Sequence, residues 1–362
     1  MAKYYVSIRE RPNTKVAQSP KTSPATNHAA RTDNKLFSPM SFEPAASLEI
    51  IHARAQMLTV IRQYFLSRQI IEVTTPVLAA NTVTDPNIES LSVATHQGEM
   101  FLQTSPEFAM KRLLAAGSGP IYQICPAFRA GEEGERHNPE FTMLEWYRPN
   151  TSLSGLMDEL QHLMELLATN FGVVWSVPRR VTYHQLFEAR FNLNPHQVDV
   201  RELLILAHRE FPQSVQHLGA AEGAKQLDDV RDLLFSQGIE KSLMSPHFVT
   251  GFPISQAALA KTGEVDGEDV ALRFEMYWYG LEIANAYDEL LDSSELVGRA
   301  EKDNKQRKED GKPTRQLDNR LLSAMDSLPQ CAGIAVGIDR LLMCLTNSQS
   351  LEDVLAFPFS IA

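Results

Sequence analysis

Apolar residues recur at helical spacing from Leu48 onward. Leu48, Ile51, Ala55, Leu58, Ile61 and Phe65 share a face and predict an amphipathic helix to about Arg68. "IIEVTTPVL" then reads as extended, with Pro76 limiting the ladder bonds it can make. "EMFLQTS" reads as a strand ending at Ser105. Ser105 and Pro106 read as N-cap and first position of a helix through "PEFAMKRLLAAG", stopped at Gly117. "IYQICPAFR" and "EFTMLEWYR" read as paired strands joined by the polar loop "AGEEGERHNP". A second helical stripe, from Leu153 through Leu160 to Leu167, predicts a core-facing helix. Residues 180–245 read as helices and loops without a chemical motif. "ALRFEMYWYGLEIANAYDEL" is strand-like, "SSELVGRAEKDNKQRKEDGKPTRQ" a charged helix and loop, and "CAGIAVGIDRLLMCL" a strand, turn and helix. Strands with such varied connections predict an α+β fold with a mostly antiparallel sheet. Residues 1–45 carry Ser, Thr, Pro and Asn without apolar periodicity, so disorder is expected there and a folded domain over 46–362.

Composition narrows the class. A hydrophobic fraction of 43% and a charged fraction of 22% describe a globular protein with ample core. No apolar run approaches the ~18 residues of a membrane-spanning helix, and no signal-peptide core is present, so no membrane role is expected. Cys125, Cys331 and Cys344 lie far apart without CxxC pairing. They predict buried free thiols and a reducing, cytoplasmic setting. The net charge of −11 divides into +4 for residues 1–45 and −15 for the remainder. An acidic body is a poor match for gripping a long nucleic acid.

Three stretches carry candidate chemistry. In the hairpin from Arg129 to Arg148, odd spacing places Phe141, Met143, Glu145 and Tyr147 on one face. Such a face can be core with incidental polar residues, or the floor of a pocket for a flat, cationic ligand. Arg136, His137 and Asn138 in the loop can hold phosphates and a base edge, or form an exposed turn. The second stretch holds Glu275, Glu282, Asn285 and Glu289. Glu282 is out of parity with the other acids, so convergence needs a bulge or a change of strand. Clustered acids repel unless a cation sits among them, and Mg²⁺ or an amine-bearing substrate would serve. The third is "GIAVGIDR", Gly333 to Arg340. Its small residues allow close approach of a backbone or ligand, and Arg340 at a helix start can reach phosphate oxygens. Alone, this stretch equally fits structural glycines beside a surface arginine.

Together and in this order, these stretches resemble the catalytic domain of class II aminoacyl-tRNA synthetases, most closely the lysyl branch. Pro76 in "EVTTPVL" looks like that class's first motif, at a dimer interface. "FRAGEEGERHNPEFTMLEWY" looks like the second and "GIAVGIDR" like the third. The resemblance implies ATP-dependent activation of an amino acid as its adenylate. Arg129 and Arg340 would spread the phosphate charge, and Phe141 would stack on adenine opposite Arg340. Arg136, His137 and Asn138 would help hold bent ATP, beside Gly337, and Glu275 and Glu282 would carry Mg²⁺. Lysine selectivity also carries over: Glu107, beside Ser105, would bind the proximal amine. Glu145, Tyr147, Asn285, Tyr287 and Glu289 would line the side-chain pocket, with Glu289 on the distal ammonium.

The departures are informative. The acid expected two residues after the motif arginine is replaced by Gly131, with Glu132 next as its substitute for the adenine contact. Only a polar extension precedes the catalytic helix where lysyl-tRNA synthetases carry an anticodon-reading OB-fold, so tRNA is not the expected acceptor. The combination resembles the truncated lysyl-tRNA synthetase paralogues that modify bacterial elongation factor P. These activate (R)-β-lysine in preference to lysine and pass it to a lysine ε-amine. Ala335, where true lysyl synthetases have glycine, is expected to reshape the pocket toward the β-amine.

Overall fold

The structure is a computed structural model that describes residues 42–216, 218 and 223–362. The disorder expected of residues 1–45 therefore falls almost wholly outside the described residues. All the described helices and strands belong to the body Pro44–Ala362.

The first helix, α1 (Leu48–Ser67), is capped by Ser47, whose hydroxyl accepts from Ile50 N at 3.3 Å. Its buried face is Met57, Val60, Ile61, Tyr64 and Phe65, while Leu48 is exposed, so the core contact sits in its C-terminal half. Short strands β1 (Ile71–Glu72) and β2 (Leu78–Ala79) follow, then β3 (Ser92–Thr95) and β4 (Gly98–Leu102). Helix α2 spans Glu107–Ala115 with Pro106 at the cap position. Ser105 is therefore not its N-cap; the Ser105 hydroxyl accepts from Glu107 N at 3.0 Å but donates its own proton to the Glu145 carboxylate. Strands β5 (Ile121–Phe128) and β6 (Glu140–Pro149) form the expected hairpin.

Helix α3 (Leu153–Phe171) leads to β7 (Arg179–Thr182), then to α4 (Tyr183–Phe191), α5 (Val200–Glu210), α6 (Pro212–Val215) and α7 (Gly223–Gly238). These last four helices close a separate apolar cluster around Tyr183, Phe187 and Phe235. Strands β8 (His247–Pro253), β9 (Thr262–Val265), β10 (Glu268–Trp278) and β11 (Leu281–Asp288) follow, then helices α8 (Ser293–Glu309) and α9 (Asn319–Met325). Strand β12 (Cys331–Gly337) runs directly into α10 (Ile338–Thr346).

The run "ALRFEMYWYGLEIANAYDEL" is thus a hairpin rather than one strand. Tyr279 and Gly280 both take positive φ, 53° and 66°, as a two-residue primed turn requires. A register shift between Met276 and Tyr277 adds the bulge that the parity of the acids demanded.

The large sheet runs β1-β5-β6-β12-β11-β10-β8-β7, with β9 also on β10. Among the described residues, only β1 with β5 and β7 with β8 pair parallel in it; the other pairs are antiparallel. A three-stranded sheet, β2-β4-β3, stands apart. Leu144, Trp146, Ile334, Val336 and Phe274 bury one face of the large sheet in a core shared with α1, α3 and α10. Strand alternation turns their neighbours, Glu145, Tyr147, Gly333 and Ala335, to the other face.

Candidate active site

Register sets the polar residues of that second face in rows. One row reads Gln123, Glu145, Ala335, Asn285, Glu275 across five strands. The next reads Ile121, Tyr147, Gly333, Tyr287, Arg273. Residues from distant parts of the sequence are thereby held on rigid, paired backbone.

At one end sits an acidic pocket. Ser105 Oγ donates to Glu145 Oε2 at 2.8 Å, and Tyr147 Oη to Glu145 Oε1 at 2.6 Å. Glu145 is fully buried, and its carboxyl is pushed up to about 7 by that burial and by the Glu107 charge. Lys111, one turn after Glu107 on α2, donates from Nζ to Glu107 Oε1 at 2.6 Å. The same nitrogen forms an ion pair with Glu289 Oε2, also at 2.6 Å. Burial would pull the Lys111 ammonium down, but Glu107 and Glu289 more than reverse this and leave it raised. Burial raises the Glu289 carboxyl, against the opposing pull of Lys111. Gly333 is required here: any Cβ would overlap the Glu289 carboxylate and the Tyr147 ring.

The other end is lined by arginines. Arg340, in the first turn of α10, donates to Glu282 O (3.1 Å) and Arg136 O (3.3 Å), and lies 2.8 Å from His137 Nε2. An arginine can only donate, so His137 accepts through Nε2 as a neutral ring. Burial and the Arg340 charge lower its pKa, in agreement. Arg136 in turn donates to Gly280 O at 3.0 Å. An added Cβ on Gly337 would meet Arg340 Cβ and Ile283 O at 4.0 Å, ordinary van der Waals contact. Arg129 lies with its guanidinium 5.1 Å from the Phe141 ring centre, and its Nε is buried without a partner among the described residues. Its neighbour Ala130 donates from N to Glu89 O (2.8 Å), and Glu89 is clasped by Arg307 and Arg315.

Several sequence expectations change in detail. Gly131 takes a φ of +78°, a conformation that disfavours an acid there, and Glu132 stands 3.6 Å from Arg129 instead. The cation over Phe141 is Arg129, while Arg340 is turned to His137. Asn138 is committed to the chain itself: its amide donates to Glu140 O at 2.6 Å and its oxygen accepts from Phe359 N at 3.0 Å. Both carboxylate oxygens of Glu275 are engaged, one by Arg273 and one by Tyr277. Glu282 keeps a partly exposed carboxylate, 3.6 Å from Arg340. Asn285 donates weakly to Tyr287 Oη at 3.4 Å and leaves its buried oxygen without a partner among the described residues.

Sequence reasoning missed Lys111 and Arg273. The Glu107–Lys111 spacing of four on a helix was the available signal for the first. No such cue marked Arg273.

Among the described residues, no group of three or more His, Cys, Asp or Glu is arranged to hold a metal ion by itself. Mg²⁺ bound with phosphate needs only one or two carboxylates. Glu282 fits that role as it stands, and Glu275 fits once released from Arg273. No helix among the described residues is long and apolar enough to cross a membrane. The three cysteines are buried free thiols, as expected.

The sequence model of the class II tRNA synthetases (D, K and N) matches residues 39–360, nearly the whole chain. This chain belongs to the class II tRNA synthetase family. Every site residue from Ser105 to Arg340 lies inside the match to that class II family. Within it, the chain is 41% identical over 331 residues to the elongation factor P–(R)-beta-lysine ligase of Vibrio parahaemolyticus, spanning 89% of this chain and 99% of that protein. Identity to the enzymes of the same name is 40% for Pasteurella multocida and 39% for Yersinia pestis, each over 89% of this chain and 98% of the relative.

Proposed function

We propose that this chain uses ATP to activate (R)-β-lysine, or lysine, and passes it to the ε-amine of a lysine on elongation factor P. It would act in the cytoplasm as a homodimer built on residues 46–362, with a protein rather than tRNA as acceptor. The observation that carries this reading is the division of one sheet face. Buried acids gather at one end, and Arg129, Arg136 and Arg340 gather about His137 at the other. An amino acid with two ammonium groups suits the first, and a triphosphate the second. Relatives about 40% identical along nearly their whole length bear the matching name.

In the first step the substrate carboxylate attacks the α-phosphorus of ATP, forming the mixed anhydride and expelling pyrophosphate. Arg129 and Arg340 spread the charge that builds on the phosphate oxygens, and Arg136 and His137 hold the loop against them. Phe141 offers its ring to adenine. Glu282 and Glu275 would hold Mg²⁺, which neutralises phosphate charge when bound. No side-chain base is needed, because positioning and charge stabilisation carry such a transfer. In the second step the acceptor amine attacks the activated carbonyl. An amide forms, AMP leaves, and the amine loses its proton.

The test is pyrophosphate exchange with (R)-β-lysine and with L-lysine, followed by transfer to elongation factor P and to tRNA. Exchange with (R)-β-lysine and labelling of the protein are expected. Exchange with neither amino acid, or labelling of tRNA alone, would overturn the reading.

A further inference from the structure

Lys111 is 3% exposed, yet its ammonium lies where the pocket's acids were expected to meet the substrate's. On one side it lines a small cavity whose other walls are Leu259, Leu290, Leu296, Leu321 and Met325, none of which offers a polar side chain. Among the described residues, its compensation comes from the pocket side. There it faces Glu107 on its own helix, Glu145 from β6, Glu289 just past β11 and Cys331 from β12.

We propose that Lys111 is the positioning residue that sets amine selectivity, by bridging Glu107 and Glu289 and fixing how many substrate ammonium groups the pocket accepts. This inference rests on the activation reading above.

The count of charges argues for it. Glu107, Glu145 and Glu289 are three carboxylates in one enclosure, and Lys111 is the cation among them. Two further positive charges complete the set, as many as a diamino acid brings. A monoamino acid would leave one buried carboxyl without a cation, which then stays protonated and forgoes the ion pair that a second ammonium would give. Geometry argues for it independently. One nitrogen touches both Glu107 and Glu289 at 2.6 Å, so those two oxygens stand no farther apart than twice that distance. The two acids do not face each other down a long empty slot. They share a wall, and the substrate's amines must meet their remaining lone pairs. Glu107 has its partly exposed side free, and Glu289 presents an edge above Gly333.

Without Lys111 the neighbouring carboxyls would ionise less readily, so the acid side of the activity profile should move to higher pH. In the intact pocket the Lys111 charge pulls the Glu145 and Glu289 carboxyls down against the rise that burial imposes.

The experiment is pyrophosphate exchange by the full chain across pH 6–9, with (R)-β-lysine and with (R)-3-aminohexanoic acid, which lacks the distal amine. Lys111→Met is expected to raise KM for (R)-β-lysine about 100-fold, with kcat changed far less. Its acid limb should shift upward by about one pH unit. Lys111→Arg keeps the cation but not its point geometry. It should leave the limb in place and raise KM about 10-fold, and it decides the matter alone if the methionine variant does not fold. Preference for the diamine over the monoamine should shift in both variants. Wild-type exchange accompanied by variants with unchanged KM, limb and preference would overturn this inference alone. Absence of exchange by the wild-type protein would overturn the activation reading and this inference with it.

Discussion

Gly333 and Glu289 are in direct contact: the place of a Cβ on Gly333 is taken by the Glu289 carboxylate. Gly333→Ala must therefore push Glu289 and Tyr147 out of position. Overpacking of this kind costs about 1–3 kcal/mol, which the fold should survive with a lowered melting temperature. Activation of (R)-β-lysine should fall by at least two orders of magnitude, because the displaced acid is the one proposed to receive an ammonium. Normal exchange kinetics in a folded Gly333→Ala protein would refute the pocket.

Ala335 is half-buried and faces Glu145 on one side and Asn285 on the other in the register of the sheet. Its methyl occupies the floor between them, which is where the amine-bearing carbon of a bound substrate would lie. Removing it in Ala335→Gly should raise the use of L-lysine relative to (R)-β-lysine by about 10-fold, the order expected for one methyl group in a tight pocket. Paired kcat/KM measurements on the two amino acids provide the check. An unchanged ratio would reduce Ala335 to packing.

Arg340 joins the loop of residues 131–138 to β11 through Arg136, His137 and Glu282. Arg340→Ala removes a charge from the end proposed to hold the phosphates and frees that loop at once. A loss of about 10²–10³ in kcat is expected, by analogy with the removal of one transition-state donor, together with a raised KM for ATP. Exposed Lys302 and Lys308 on α8 lie outside this network, so changing them to alanine should leave adenylate formation intact. Equal losses in both experiments would count against the assignment.

Glu145 yields a stability prediction with a definite sign. Its folded pKa of about 7 lies above the unfolded value of 4.5, so folding takes up a proton between those limits. That contribution is full below pH 4.5 and is lost as pH rises toward 7. His137 and His196, both lowered, oppose it below their ordinary value of 6.5, so the comparison must be internal. Glu145→Gln cannot ionise. The wild-type protein should therefore lose stability relative to it across pH 5–7, by up to about 1.4 kcal/mol per pH unit, and the difference should level off above. Melting curves that stay parallel across this range would show the carboxyl to be unperturbed.

Much of this site is readable from the sequence because its chemistry is concentrated in short stretches. The alternation of Phe141, Glu145 and Tyr147 in β6 puts them on one face, and the parity break at Glu282 asks for a bulge or a change of strand, both of which are present. What escapes depends on contacts between distant segments. Nothing near Lys111 in the chain announces Glu289, which reaches it only because β11 ends beside α2. Ser105 fits an N-cap by local rules, but its hydroxyl serves Glu145 across the site. Gly131 reads as a missing acid, and the backbone explains it: a turn with positive φ sits there, and the acid moves one place on. Local pattern decides which residues share a strand face, whereas ion pairs between elements are decided by packing.

The position of β12 has a consequence for how the protein is made. This strand is the last in the chain, yet it lies at the centre of the large sheet, between β6 and β11. A ribosome that has released everything up to α9 has produced two half-sheets, each with an open central edge. Such edges are templates for pairing with other chains. The chain must therefore hold two unfinished sheets apart until residues 331–337 emerge, and slow translation of the segment after α9 would lengthen the interval. Fragments ending before Cys331 are expected to aggregate, even though all but one strand of the sheet is in hand.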